Sequence, residues 1–119
     1  MESRWIDEMF ATIDRKDHTA FTGFLLPDAR FRYGNNVPVH GRAAIAEVVA
    51  GFFSALDGLQ HVIEDRWLLP DTAIITGNVI YIRHDGSKLQ VPFANVLKLR
   101  EGGIHEYLIF VDNSALFAI

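Results

Sequence analysis

The chain has 119 residues, half of them hydrophobic and 22% charged, which is the length of one domain and a globular rather than a disordered composition. A net charge of −4 with eleven scattered Lys and Arg argues against a nucleic-acid surface, which takes a basic stripe, and the absence of cysteine excludes disulfide frameworks, thiolate metal sites and cysteine nucleophiles. The longest uncharged apolar run, Val48 to Leu56, is far below the roughly 20 residues of a membrane span, and the first residues lack the apolar segment of a secretory signal. A single domain over 1–119 is expected, cytoplasmic, with no membrane and no nucleic-acid partner.

Trp5, Ile6, Met9, Phe10 and Ile13 recur at the spacing of one helical face, and Asp14 to Lys16 interrupts it. Asp17 is placed to cap a short second helix burying Phe21, Phe24 and Leu25, which Pro27 stops because proline disfavours helical geometry before it. A short strand follows over Ala29 to Tyr33. Ile45, Val48, Val49, Phe52 and Leu56 form the stripe of a third helix from about Arg42 to Asp57, with Gly58 as its terminator. Beyond Gly58 the period changes to 2: a strand from His61 to Trp67, a turn at Leu69-Pro70-Asp71, and a β-branched strand from Ala73 to His84. Asp85-Gly86 makes a hairpin into Leu89 to Arg100, and Glu101-Gly102-Gly103 turns into a final strand from Ile104 to Val111. Helices first and antiparallel strands after is an α+β order, in which helices cover one face of a sheet.

Alternation assigns faces. Glu106, Leu108, Phe110 and Asp112 share one side of the last strand, and His105, Tyr107, Ile109 and Val111 the other. Phe93, Asn95, Leu97 and Leu99 lie together, which sets the Asn95 amide among hydrophobes, and His61, Ile63, Asp65 and Trp67 share a face. Each has a structural explanation beside a functional one. Asp112 fits turn chemistry, Asn95 a bulged backbone, His61 a hydrogen-bonded core histidine, and Tyr33 and Trp67 plain packing; capping accounts for Asp14, Asp17 and Asp28. Nucleotide-binding glycine motifs, zinc-protease motifs and the serine-hydrolase elbow are absent from the sequence. The five histidines stand apart at positions 18, 40, 61, 84 and 105, and neither a metal nor another cofactor is expected.

The order of these elements, with Leu25-Leu26-Pro27-Asp28-Ala29-Arg30-Phe31, Gly41-Arg42-Ala43-Ala44-Ile45, Val91-Pro92-Phe93-Ala94-Asn95-Val96 and Ile104-His105-Glu106-Tyr107-Leu108-Ile109-Phe110-Val111-Asp112, resembles the SnoaL-like branch of the NTF2-like superfamily nearly end to end. The resemblance implies a cone: a strongly curved antiparallel sheet with N-terminal helices packed on it and an apolar pocket between them. Relatives include polyketide cyclases, steroid isomerases, epoxide hydrolases, dehydratases and non-catalytic binding or adaptor modules. Most pair through the convex face of the sheet, so a homodimer is expected. Asp112 stands where cyclase-like relatives carry an acid/base aspartate. The basic residue of many relatives is replaced by Leu108, and Arg32-Tyr33 occupies the neighbourhood of the steroid isomerase base.

Two functions are compatible with that pocket. One is acid–base catalysis of the isomerase, cyclase, dehydratase or hydrolase kind on an apolar, carbonyl-bearing substrate. There a desolvated Asp112 acts as base, Asn95 with Tyr33 or His61 donates to the substrate oxygen, and Trp67, Phe93, Phe110, Leu108 and Phe52 form the walls. The other is binding of an apolar small molecule, or a dimeric interaction role, without chemistry.

Overall fold

A computed structural model describes residues 3–117. Helix α1 (Arg4–Asp14) buries Ile6, Met9, Phe10 and Ile13, the face set by their spacing. It ends where Lys16 takes a positive φ of 59°, so that the Lys16 N–H reaches the Ile13 carbonyl and the Asp17 N–H the Thr12 carbonyl, satisfying the last turn. Asp17 caps α2 (His18–Thr22), its carboxylate accepting the Ala20 N–H at 3.0 Å. The chain is extended from Leu25 onward in β1 (Leu25–Tyr33), so Phe24 and Leu25 leave the helix expected there. Pro27 lies where the pairing of β1 slips between Leu25 and Arg30, a place where a missing N–H costs no ladder bond.

After a two-residue strand, β2 (Val39–His40), helix α3 (Arg42–Ser54) buries Ile45, Val49 and Phe53. It stops short of Asp57 because Gly58 opens β3 (Gly58–Leu69) rather than closing the helix. Strands β4 (Thr72–Ile82), β5 (Lys88–Arg100) and β6 (Gly103–Val111) complete the sheet. Its order is β2-β1-β6-β5-β4-β3, antiparallel throughout except where β1 runs parallel to β6. The result is an α+β fold, a curved, unclosed six-stranded sheet with the helices on its concave side.

A bulge in β3 decides which side chains face inward. Ile63 pairs with Gly77 and Asp65 with Thr76, so Glu64 is an extra residue and the alternation reverses beyond it. His61 therefore shares the concave side with Arg66 and Leu68, and Trp67 is turned outward. Gly77 makes room for the bulge: a Cβ there would lie 2.0 Å from the Val62 carbonyl oxygen and 3.0 Å from the Ile63 Cα.

Candidate active site

Between the concave face of the sheet, α1, α2 and α3 lies a cavity of about 270 Å³. A cavity of about 150 Å³ accepts benzene, so this one has room for one or two fused rings. Its walls are mostly aromatic and aliphatic, with Phe52 on α3 and Phe93 on β5 among them. His61, Asn95, Tyr33, Tyr81 and Tyr107 bring polar groups to the same cavity.

His61 is held on three sides. Its Nδ1 lies 2.7 Å from Asp14 Oδ1 and its backbone N–H donates to Asp14 Oδ2 at 3.0 Å. Its ring packs 4.8 Å from that of Phe10 and edge-on to Phe93 at 5.1 Å. A carboxylate only accepts, so Nδ1 carries a hydrogen, and in the neutral ring Nε2 presents a lone pair. Nε2 has no hydrogen-bond partner among the described residues.

Asp14, assigned to capping from sequence, is instead the orienting member of a His–Asp pair across 47 residues. One signal was available. Asp14 is the last residue of α1, the end of a helix where a negative charge is disfavoured by the dipole, so an N-terminal capping role never suited it.

The Tyr33 and Tyr81 hydroxyls meet at 2.5 Å, with Phe52 5.1 Å from the Tyr33 ring and 6.0 Å from the Tyr81 ring. Tyr81 was not singled out from sequence, because a tyrosine in a β-branched run reads as packing. Within such a pair one hydroxyl donates to the other, leaving one hydrogen for a ligand. Burial raises both phenols, Tyr33 well above its ordinary range with the neighbouring Tyr81 adding to the effect, and Tyr81 against the opposing hydrogen bond from Tyr33. Burial likewise raises Tyr107, against the opposing hydrogen bond from Asn95. Asn95 is 2% exposed, and its Nδ2 donates to the Tyr107 hydroxyl at 3.1 Å. The unmet end of its amide is Oδ1, buried with no hydrogen-bond partner, so the group left to be satisfied is an acceptor and not the donor expected.

The inward face of β6 is the other one from that expected. Tyr107 and Ile109 line the cavity, and Leu108 and Phe110 lie on the outer face, with Phe110 46% exposed under the Arg32 guanidinium, 5.6 Å from its ring centre. Asp112 follows the end of β6 as an exposed residue whose carboxylate accepts the Ser114 N–H at 3.1 Å. Its hydrogen bonds to Ser114 hold it below the ordinary carboxylate range, the reverse of a desolvated base. Trp67, turned outward by the β3 bulge, is 50% exposed.

A family model described as a SnoaL-like domain matches residues 6–107. The chain belongs to the SnoaL-like family. No curated protein matches it. Among solved structures this SnoaL-like chain is similar to TerC co-crystallised with polyporic acid (19% identity, TM-score 0.80, covering 93% of this chain and 91% of that one). It is also similar to a protein of Jannaschia sp. CCS1 provisionally named a SnoaL-like polyketide cyclase (17%, 0.76, 93% and 87%). A third is an LEH-like epoxide hydrolase of M. tuberculosis (13%, 0.80, 96% and 84%). At these identities the likeness is one of fold.

All three tyrosines of this SnoaL-like protein are held up by burial, which sets its alkaline behaviour. A phenol raised in the folded state contributes stability that is intact below the unfolded value near 10 and drains away as pH rises from there toward the folded value. Phenolate absorbance is expected to stay flat in the native protein past pH 10, then rise in one step with unfolding, whereas the urea-denatured chain titrates three phenols near 10. One tyrosine ionising reversibly near pH 10 in the native state would contradict the burial.

Proposed function

We propose that this SnoaL-like protein is an acid–base enzyme acting on an apolar carbonyl compound of one or two rings. His61 Nε2 takes the proton, Asp14 fixes the tautomer and steadies the imidazolium that forms, and the Tyr33–Tyr81 pair donates to the carbonyl oxygen as charge gathers there. The observation that supports it is the His61–Asp14 pair, set in the wall of an apolar cavity with its basic nitrogen unpartnered. Asp112, in solvent and held as an anion by Ser114, has no part in this reading. Enolisation, the step common to isomerisation, cyclisation and dehydration next to a carbonyl, needs one base and one oxygen donor, and this cavity has one of each.

The test does not need the natural substrate. In D₂O, exchange of the α-hydrogens of 1-indanone and 2-tetralone, followed by proton NMR, is expected to be accelerated by the native protein. His61→Gln is expected to lose about 10²–10⁴-fold of that rate while binding the ketones with unchanged affinity. Binding without any exchange by the native protein would overturn the enzyme and leave a ligand carrier.

A further inference from the structure

Asn95 presents a problem that base and donor do not solve. Its Oδ1 is buried with no hydrogen-bond partner, on a residue that lines the cavity. Buried acceptors are rarely left empty, because the lost hydration is not replaced. The amide is held from behind: Nδ2 is engaged by Tyr107, whose ring is fully enclosed between Phe21 at 5.4 Å and Phe31 at 5.6 Å. Another carbonyl cannot relieve Oδ1; a hydrogen can. Of the other polar side chains that line the cavity, His61 offers the acceptor Nε2, Tyr33 and Tyr81 are paired with each other, and neither Asn36 nor Asn113 reaches Oδ1.

We infer that Asn95 Oδ1 is a hydroxyl subsite, and that the ligand of this cavity is a ring compound carrying a hydroxyl group that donates to it. The subsite rests on the reading that the cavity receives a small molecule, and it stands apart from whether His61 moves a proton. The aromatic walls and the volume favour a flat skeleton of one or two rings, and the acceptor requires that the skeleton bear an O–H there. A carbonyl on the same skeleton meets the tyrosine pair. The cavity then discriminates by polarity as well as shape, since a site built around a hydroxyl rejects an analogue lacking it far better than an apolar wall rejects a methylene.

The test uses three unreactive probes on one ring skeleton: naphthalene, 2-naphthol and 2-methoxynaphthalene, with affinities by calorimetry. The native protein is expected to bind 2-naphthol about tenfold more tightly than 2-methoxynaphthalene. Asn95→Leu is expected to bind the two alike while holding naphthalene at least as well, which also reports that the variant is folded. Tyr107→Phe frees the amide to turn either end inward, and is expected to shrink the preference without the change of volume at position 95. Equal binding of the naphthol and its ether by the native protein would overturn the subsite, with a retained water meeting Oδ1 instead. A preference that survives Asn95→Leu and disappears in His61→Gln would overturn it in favour of the imidazole. Failure of all three probes to bind would overturn the subsite together with the small-molecule reading, a result distinct from either of the others.

Discussion

Gly77→Ala is expected to lower stability by about 3 kcal/mol or more, at the top of the range for overpacking, and the melting temperature by about 10 °C or more. The added Cβ would sit 2.0 Å from the Val62 carbonyl oxygen and 3.0 Å from the Val62 carbonyl carbon. All of these neighbours are backbone, so no side chain can swing aside. Relief requires β3 to move off β4 or to abandon its extra residue. Abandoning it would restore simple alternation, carry Trp67 to the concave side, and displace Arg66 and Leu68, which face Ile75 and Ala73 across the ladder. His61 lies two residues before Ile63 on the same strand, so the substitution is also expected to loosen its contact with Asp14. Thermal unfolding followed by circular dichroism measures the first effect. A melting point within about two degrees of the native value would show that the strands are not in so close an approach.

The same bulge marks where the sequence could be read and where it could not. The inward side of β5 follows from alternation, because its outer face carries Lys88, Gln90 and Lys98; Phe93, Asn95 and Leu97 lie inward as their pattern requires. In β6 both faces are apolar, with Tyr107, Ile109 and Val111 on one and Leu108 and Phe110 on the other, so hydropathy cannot say which is buried, and a one-residue choice reverses every side chain. In β3 the pattern is sound up to Ile63 and fails at Trp67, because a bulge leaves no mark in hydropathy. The lone glycine in the β-branched run of β4 was the available hint. Helix positions were legible from spacing: of the stripe expected for the third helix Ile45, Val49 and Leu56 are buried, while Phe53 joins them and Val48 is left 47% exposed. Asp14 and His61 could not be joined from sequence, since nothing local ties a helix end to a strand 47 residues away. The oddity of an acidic residue at a helix C-terminus is visible in the chain, and its partner is not.

Asp14→Asn is expected to leave the fold nearly intact and to cut proton transfer by about 10⁴-fold, the cost of the same change in a His–Asp pair that fixes a tautomer. Asp14 now accepts twice, from the His61 backbone N–H through Oδ2 and from the ring through Oδ1. Asparagine brings one acceptor and one donor to the same space. The backbone N–H is always a donor, so the amide oxygen must face it; the opposite setting would press two donors together at about 1–3 kcal/mol. The NH₂ then faces Nδ1, which must give up its hydrogen to accept. The hydrogen moves to Nε2, and the nitrogen that faces the cavity becomes a donor. Both hydrogen bonds survive, the backbone one unchanged in direction and the ring one reversed, so the stability lost is about 1 kcal/mol, the charge-assisted part of the pair. Asp14→Ala, which leaves the backbone and ring hydrogens unmet, is expected to cost about 2–3 kcal/mol and a similar share of activity. Nitrogen-15 NMR of the imidazole separates the two variants without any substrate: the native protein is expected to show hydrogen on Nδ1, and Asp14→Asn hydrogen on Nε2. If Asp14→Asn kept its hydrogen on Nδ1 and exchanged ketone α-hydrogens at the native rate, Asp14 would be a structural anchor for β3 and the base would have to be sought elsewhere in the cavity.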